Sequence, residues 1–152
     1  GAMTLFDQIN EDIKSAMKAR EKVRLEALRN VKKFMLEERA AKGAGTELTD
    51  GESLKIIQKL IKQGKDASGI YTQQNRPDLA EQELEQIAAL EGYLPRQMSD
   101  TELTGAIVEI IKRTGAISMK DMGKVMGLAS KELAGKADGK DISAKVKEFL
   151  GP

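Results

Sequence analysis

The residues best placed to do chemistry lie in one stretch, Met119 to Lys140. Lys120, Lys124, Lys131, Lys136 and Lys140 recur there among four glycines. Ammonium groups beside exposed backbone are suited to phosphate oxygens, and Gly135 and Gly139 would let an anionic chain come close. The charge pattern points the same way. From Lys112 to Lys147 nine Lys/Arg face four Asp/Glu, a net of +5, while the remainder carries sixteen against twenty. The overall +1 thus conceals a polarity that implies a local anionic partner. Lys131, Lys136 and Lys140 cluster at a glycine-flexed turn by a helix end, where amides and ammonium groups can converge on phosphates. Gly135-Lys-Ala-Asp-Gly-Lys140 has the composition of a nucleotide loop but the wrong spacing, and it follows no strand. Gly123 and Gly127, four apart, read as a place for close helix packing.

Other chemistries are excluded by composition. The chain has no histidine and no cysteine. Disulfides, thiol nucleophiles, Cys/His zinc sites and imidazole bases are therefore out of reach. No Gly-x-Ser-x-Gly occurs. The acidic face of Asp78, Glu81, Glu83, Glu85 and Glu91 lacks the spacing of a calcium loop and reads as solvated surface. No catalytic residue, metal site or cofactor is expected. Aromatic residues make up 3% and tryptophan is absent, so base stacking has little to stand on. No apolar run approaches the ~20 residues of a membrane span. Gly1-Ala2 before Met3 reads as an expression scar, no signal peptide follows, and a cytoplasmic location is expected.

The elements that must carry these lysines read as helices. Charged residues reach 32% with few aromatics, a profile of Leu/Ile/Met/Ala seams rather than sheets. Thr4 opens a helix with Leu5, Ile9, Ile13 and Met17 on one face. A second carries Leu28, Val31 and Met35, and Lys14 to Lys42 holds ten basic residues against four acids. After the glycine-rich loop 43–51, Thr49 or Asp50 caps a long helix with Leu54, Ile57, Leu60, Ile61 and Tyr71 inward. Gly64 and Gly69 within it mark either close packing or a kink. Asp78-x-x-Glu81 has capping-box spacing for a fourth helix, with Leu84, Ile87, Ala88 and Leu94 inward. Pro95 ends that pattern and Ser99-x-x-Glu102 opens another. The domains expected are 4–97, of about four helices, and 98–152, a small three-helix bundle, with 1–3 left over. Helices starting near Ser99, Ser118 and Asp138 or Asp141 make up the second. Met119, Met122 and Met126 fall at helical spacing and read mainly as core.

These residues resemble the YqeY family. Leu28-Arg-Asn-Val-Lys-Lys, Ile57-Gln-Lys-Leu-Ile-Lys-Gln-Gly-Lys-Asp-Ala-Ser, Asp78-Leu-Ala-Glu, Glu91-Gly-Tyr-Leu-Pro-Arg-Gln-Met-Ser, Met122-Gly-Lys-Val-Met-Gly and Gly135-Lys-Ala-Asp-Gly-Lys carry the likeness, in order, from about Leu5 to Leu150. Gly64 departs from it, since the family more often has Arg there. The resemblance implies an all-α protein whose C-terminal part is similar to the tail of GatB. GatB is a subunit of the glutamine-dependent amidotransferase acting on misacylated tRNA, and its tail contacts the outer corner of tRNA. A similar module is appended to some bacterial glutaminyl-tRNA synthetases. The expectation is a tRNA-binding accessory module, partnered with tRNA and an amidotransferase or aminoacyl-tRNA synthetase, contacting phosphates through Lys120, Lys124, Lys131, Gly135, Lys136, Gly139 and Lys140. Two alternatives stand beside it: the family label of carbon–nitrogen ligase with glutamine as amido donor, and a helical protein–protein adaptor.

Overall fold

A computed structural model describes residues 3–151, and every regular element among them is helical. Seven α-helices follow in order: α1 (Leu5–Ala19), α2 (Lys22–Lys42), α3 (Asp50–Gln73), α4 (Pro77–Glu91), α5 (Asp100–Thr114), α6 (Met122–Glu132) and α7 (Gly139–Leu150). A 3-10 turn, Met119–Asp121, leads into α6. The chain divides into two compact units, one reaching Leu94 and one beginning at Pro95.

Three helix starts use the same device. Thr4 and Asp7, Thr49 and Glu52, and Ser99 and Glu102 form reciprocal capping boxes on α1, α3 and α5. Each satisfies two amides that the first helical turn leaves without carbonyl partners. A cation reinforces two of them: Lys42 Nζ lies 2.6 Å from Glu52 Oε1, and Arg96 Nη2 lies 2.5 Å from Glu102 Oε2. The Lys42 hydrogen bond and the Thr49 amide hold Glu52 down to a pKa of about 2. Arg96 and then Ser99 do the same for Glu102, also to about 2.

The expected box at Asp78 and Glu81 is absent. Pro77 occupies the first helical position of α4, and the cap residue is Arg76, whose side chain makes no cap bond. Its guanidinium instead takes the Asp78 carboxylate, with Nη2 3.0 Å from Oδ2. A proline at that position needs no amide partner and presets the helical φ, so a side-chain cap contributes less.

In the first unit, α3 packs along α4 while α2 packs against both α1 and α4. The core is Ile9, Ala16, Leu28, Val31, Met35, Ile57, Ile61, Ile87 and Leu90, with Leu48 inserted from the loop. Three expected core positions face out, and two of them, Met17 and Leu84, are each 52% exposed. A strict spacing of four drifts about 40° per step around a helix of 3.6 residues per turn, so by Met17 the seam has passed to Ala16. On α4 the buried stripe is Ala80, Ile87 and Leu90, which also leaves Ala88 outside. Gly64 is buried, and a Cβ there would come within 2.9 Å of Ile87 Cγ1. It marks close helix packing and leaves no room for an arginine. Gly69, by contrast, faces open space. The segment after α4 returns to α1, where Tyr93 donates its hydroxyl to Asp12 Oδ2 at 2.5 Å. Partial burial, and then Asp12, push that phenol's pKa above its ordinary value.

In the second unit Leu103, Ile107, Ile110, Val125, Ala129, Leu133, Ile142, Val146 and Leu150 form the core, with Met98, Met122 and Met126 packed on it half-buried. Gly115 ends α5 at φ +69, the left-handed cap that glycine adopts without penalty. Arg113 bridges α5 to α6 through Glu132, 2.8 Å away.

Candidate nucleic-acid interface

Which way α6 faces decides what its lysines can touch. Val125 and Ala129 are buried against α5 and α7, and Met122, Met126 and Leu128 are half-buried. At about 100° per residue, Gly123, Lys124, Gly127 and Lys131 then fall within one arc of roughly a quarter-turn on the outer side. All four are exposed, as is Lys120 in the preceding turn. A Cβ added at Gly123 or Gly127 would meet nothing within 4 Å. No helix of the unit packs closely there, against the expectation from their spacing. These two glycines bare the helix backbone between three lysines.

The nearby acids are engaged elsewhere. Glu132 binds Arg113, and Asp121 Oδ2 accepts from the Ile117 amide at 2.9 Å. Lys124 donates to the Thr114 carbonyl at 3.0 Å, completing the end of α5 where a cation also complements the helix dipole. An ammonium has three protons, so two of its donors remain for an external acceptor. Ile117, 88% exposed, stands in the loop just before this face. Nothing in its sequence context marked it, because the apolar periodicity of α5 has already ended at Gly115.

The remaining predicted residues sit around the turn between α6 and α7. Gly135 is buried at φ +77, and its carbonyl accepts from Gln97 Nε2 at 2.7 Å. This glycine serves the turn itself. The next carbonyl, of Lys136, accepts from the Met98 amide at 2.9 Å, while the Lys136 side chain points to solvent. Gly139 and Lys140 open α7, and both are exposed. The Asp138 side chain accepts from the Lys140 amide at 3.3 Å and so caps that helix end itself. With Asp138 and Asp141 in place, the first turn of α7 offers an anion less than a bare helix start would.

A groove of about 440 Å³ beside this turn is lined by charges of both signs. Lys136 and Lys145 line it, but so do Asp100, Asp138, Asp141 and Glu148. Lys145 is committed to Asp100, 3.0 Å away. The seven predicted residues therefore fall into three settings. Lys120, Lys124 and Lys131 share the outer face before and along α6; Lys136, Gly139 and Lys140 are exposed around the start of α7; Gly135 lies inside. Among the described residues no group of three Asp or Glu is placed to hold a metal ion. None of the helices is long and apolar enough to cross a membrane.

Comparison with known proteins adds relatives to this geometry. The chain is 27% identical over 153 residues to "Altered inheritance of mitochondria protein 41, mitochondrial" of Pyrenophora tritici-repentis, covering 97% of this chain and 81% of that protein. The protein of the same name from Vanderwaltozyma polyspora is 26% identical over 120 residues, 75% of this chain and 64% of the relative. The family model described as Yqey-like protein matches residues 6–150, and the chain belongs to that family.

Proposed function

We propose that this protein is an RNA-binding accessory module that contacts the phosphate backbone of tRNA, without an active site of its own. The observation that carries the reading is the outer face of α6. Three lysines flank two glycines whose missing side chains leave the helix backbone open, and the neighbouring acids are held by Arg113 and the Ile117 amide. A folded RNA recognised by shape offers such a face phosphates and ribose hydroxyls, and it needs few aromatics. Lys136 and Lys140 would extend the contact from the turn before α7. The tRNA-dependent amidotransferase or synthetase setting implied by the family likeness belongs to this proposal, as does the cytoplasmic location. The relatives are named mitochondrial, and charged tRNA is handled in both compartments.

Electrophoretic shifts with tRNA at several salt concentrations test the idea. Contacts from five lysines predict a slope of log K on log salt near −4, roughly a 250-fold loss between 50 and 200 mM. Lys120→Glu with Lys131→Glu should weaken binding at least tenfold, and Lys136→Glu with Lys140→Glu should weaken it too, with the thermal melt of each unchanged. Absence of binding at 50 mM salt, or binding untouched by both double variants, would remove the proposal.

A further inference from the structure

The first unit carries a groove that the RNA reading does not use. It runs between α2 and α3 with a volume of about 490 Å³, and its apolar lining is Phe34, Ile56 and Leu60. Ile56 and Leu60 rest half-buried on the core. Phe34 is half-buried at the α2 side, with the Lys33 ammonium 5.4 Å from its ring centroid. Half-covered apolar side chains in a concave strip are where an incoming apolar group gains most from leaving water.

The walls differ in sign. Glu37 and Glu38 line the groove from α2, and Lys55 and Lys59 line it from α3. None of these four side chains makes an ion pair or hydrogen bond with another described residue. Acids on one wall and bases on the other thus remain unpaired across an apolar strip. The end of the groove is fixed: Glu52, which also lines it, is held by Lys42 and by the Thr49 cap. From Glu52 to Gln63 the α3 wall extends about 16 Å, the length of three helical turns.

We infer that this groove docks an amphipathic helix of a partner protein, one with an apolar spine, a basic edge for Glu37 and Glu38 and an acidic edge for Lys55 and Lys59. The spine at i, i+3, i+4 and i+7 fills the strip over Phe34, Ile56 and Leu60. The edges settle orientation, because a helix entering in the reverse sense would put like charges together. Two walls of opposite sign, the longer about three helical turns, match the two edges and the length of a single helix, and a second copy of the chain is the alternative that the sedimentation arm below separates.

The test uses the full chain and three labelled helical peptides of about 16 residues with the same leucine spine. One has a lysine edge and a glutamate edge, one has two lysine edges, and one has two glutamate edges. Fluorescence anisotropy should show the mixed peptide binding at least tenfold more tightly than the other two. Lys55→Glu with Lys59→Glu makes both walls acidic and should transfer the preference to the all-lysine peptide. Glu37→Lys with Glu38→Lys should transfer it to the all-glutamate peptide, which covers the case of one variant failing to fold. Amide shifts on binding should centre on Ile56 and Leu60. The proposal is overturned if no peptide binds, if the preference ignores both charge reversals, or if the shifts lie elsewhere. It is equally overturned if sedimentation shows wild-type dimers that Phe34→Glu dissociates, since the groove then belongs to a second copy.

Discussion

Replacing Gly64 with alanine tests the closest helix contact in the first unit. Two effects oppose each other. Alanine in a helix interior is favoured over glycine by about 1 kcal/mol, and a methyl group in a filled core costs about 1–3 kcal/mol. The new Cβ would lie 2.9 Å from Ile87 Cγ1 and 3.0 Å from Ile87 Cδ1. The Cδ1 can swing away, but Cγ1 is tied to a χ1 that a helix restricts for branched side chains. Ile87 is itself 4% exposed, so it has little free space to retreat into. The steric effect wins, and Gly64→Ala should destabilise by about 1 kcal/mol. Gly69→Ala, in the same helix but facing open space, should stabilise by about 1 kcal/mol. Removing the obstacle reverses the first result: in an Ile87→Ala background, Gly64→Ala should become stabilising, a coupling of at least about 1 kcal/mol. Urea unfolding followed by tyrosine fluorescence suits the measurement, because both tyrosines, Tyr71 and Tyr93, lie before the boundary at Leu94 and so report only that unit. Equal gains from Gly64→Ala and Gly69→Ala, or strict additivity with Ile87→Ala, would refute the packing argument.

Two further outcomes follow from features of the same kind. Glu52 and Glu102 both have pKa values held down to about 2, from an ordinary 4.5, by Lys42 and Arg96 and by their own helix caps. Their contribution is complete above the ordinary value and is lost as pH falls from about 4.5 towards 2. Thermal melts across that window should show falling stability, and Glu52→Gln should make the fall shallower in the tyrosine signal. On α6, Gly123→Ala with Gly127→Ala should stabilise the second unit by about 1 kcal/mol per site and so raise its melting temperature, since neither methyl group meets a neighbour. If bare backbone is what the RNA approaches, the same variant binds tRNA more weakly despite being more stable, which gel shifts beside calorimetry would show.

Much of the fold was legible because helices announce themselves by period and by caps. Thr4, Thr49, Ser99 and Asp138 all begin helices as their spacing indicates. The seams are less legible where a spacing of four drifts off the buried face, as at Met17, or where two stripes compete on one helix, as on α4. What a bare sequence could not distinguish was the purpose of its glycines. Gly64 and Gly69 look alike in one helix, yet one lies against Ile87 and the other faces nothing. Gly123 and Gly127 carry the spacing of a helix-packing pair and face nothing either. The difference lies in tertiary partners contributed by distant residues, which local periodicity does not encode. The same holds for the lysines: their number was evident, but that Lys124 closes α5 and that Gly135 turns inward depends on Thr114 and Gln97.

The bonds from Gln97 and Met98 to the turn at Gly135 and Lys136 decide where the second unit could be cut from the chain and kept whole. A domain that is copied onto the end of another protein must bring every residue that closes its own structure. Here the closing strap precedes the first helix, so a transplant cut at Ser99 would leave the turn carrying Lys136 without its two fastenings. A cut at Pro95 keeps them, and also keeps Arg96 beside Glu102. For a transplant of this unit the cut that keeps its own fastenings is therefore at the proline, with the short segment behind it carried along.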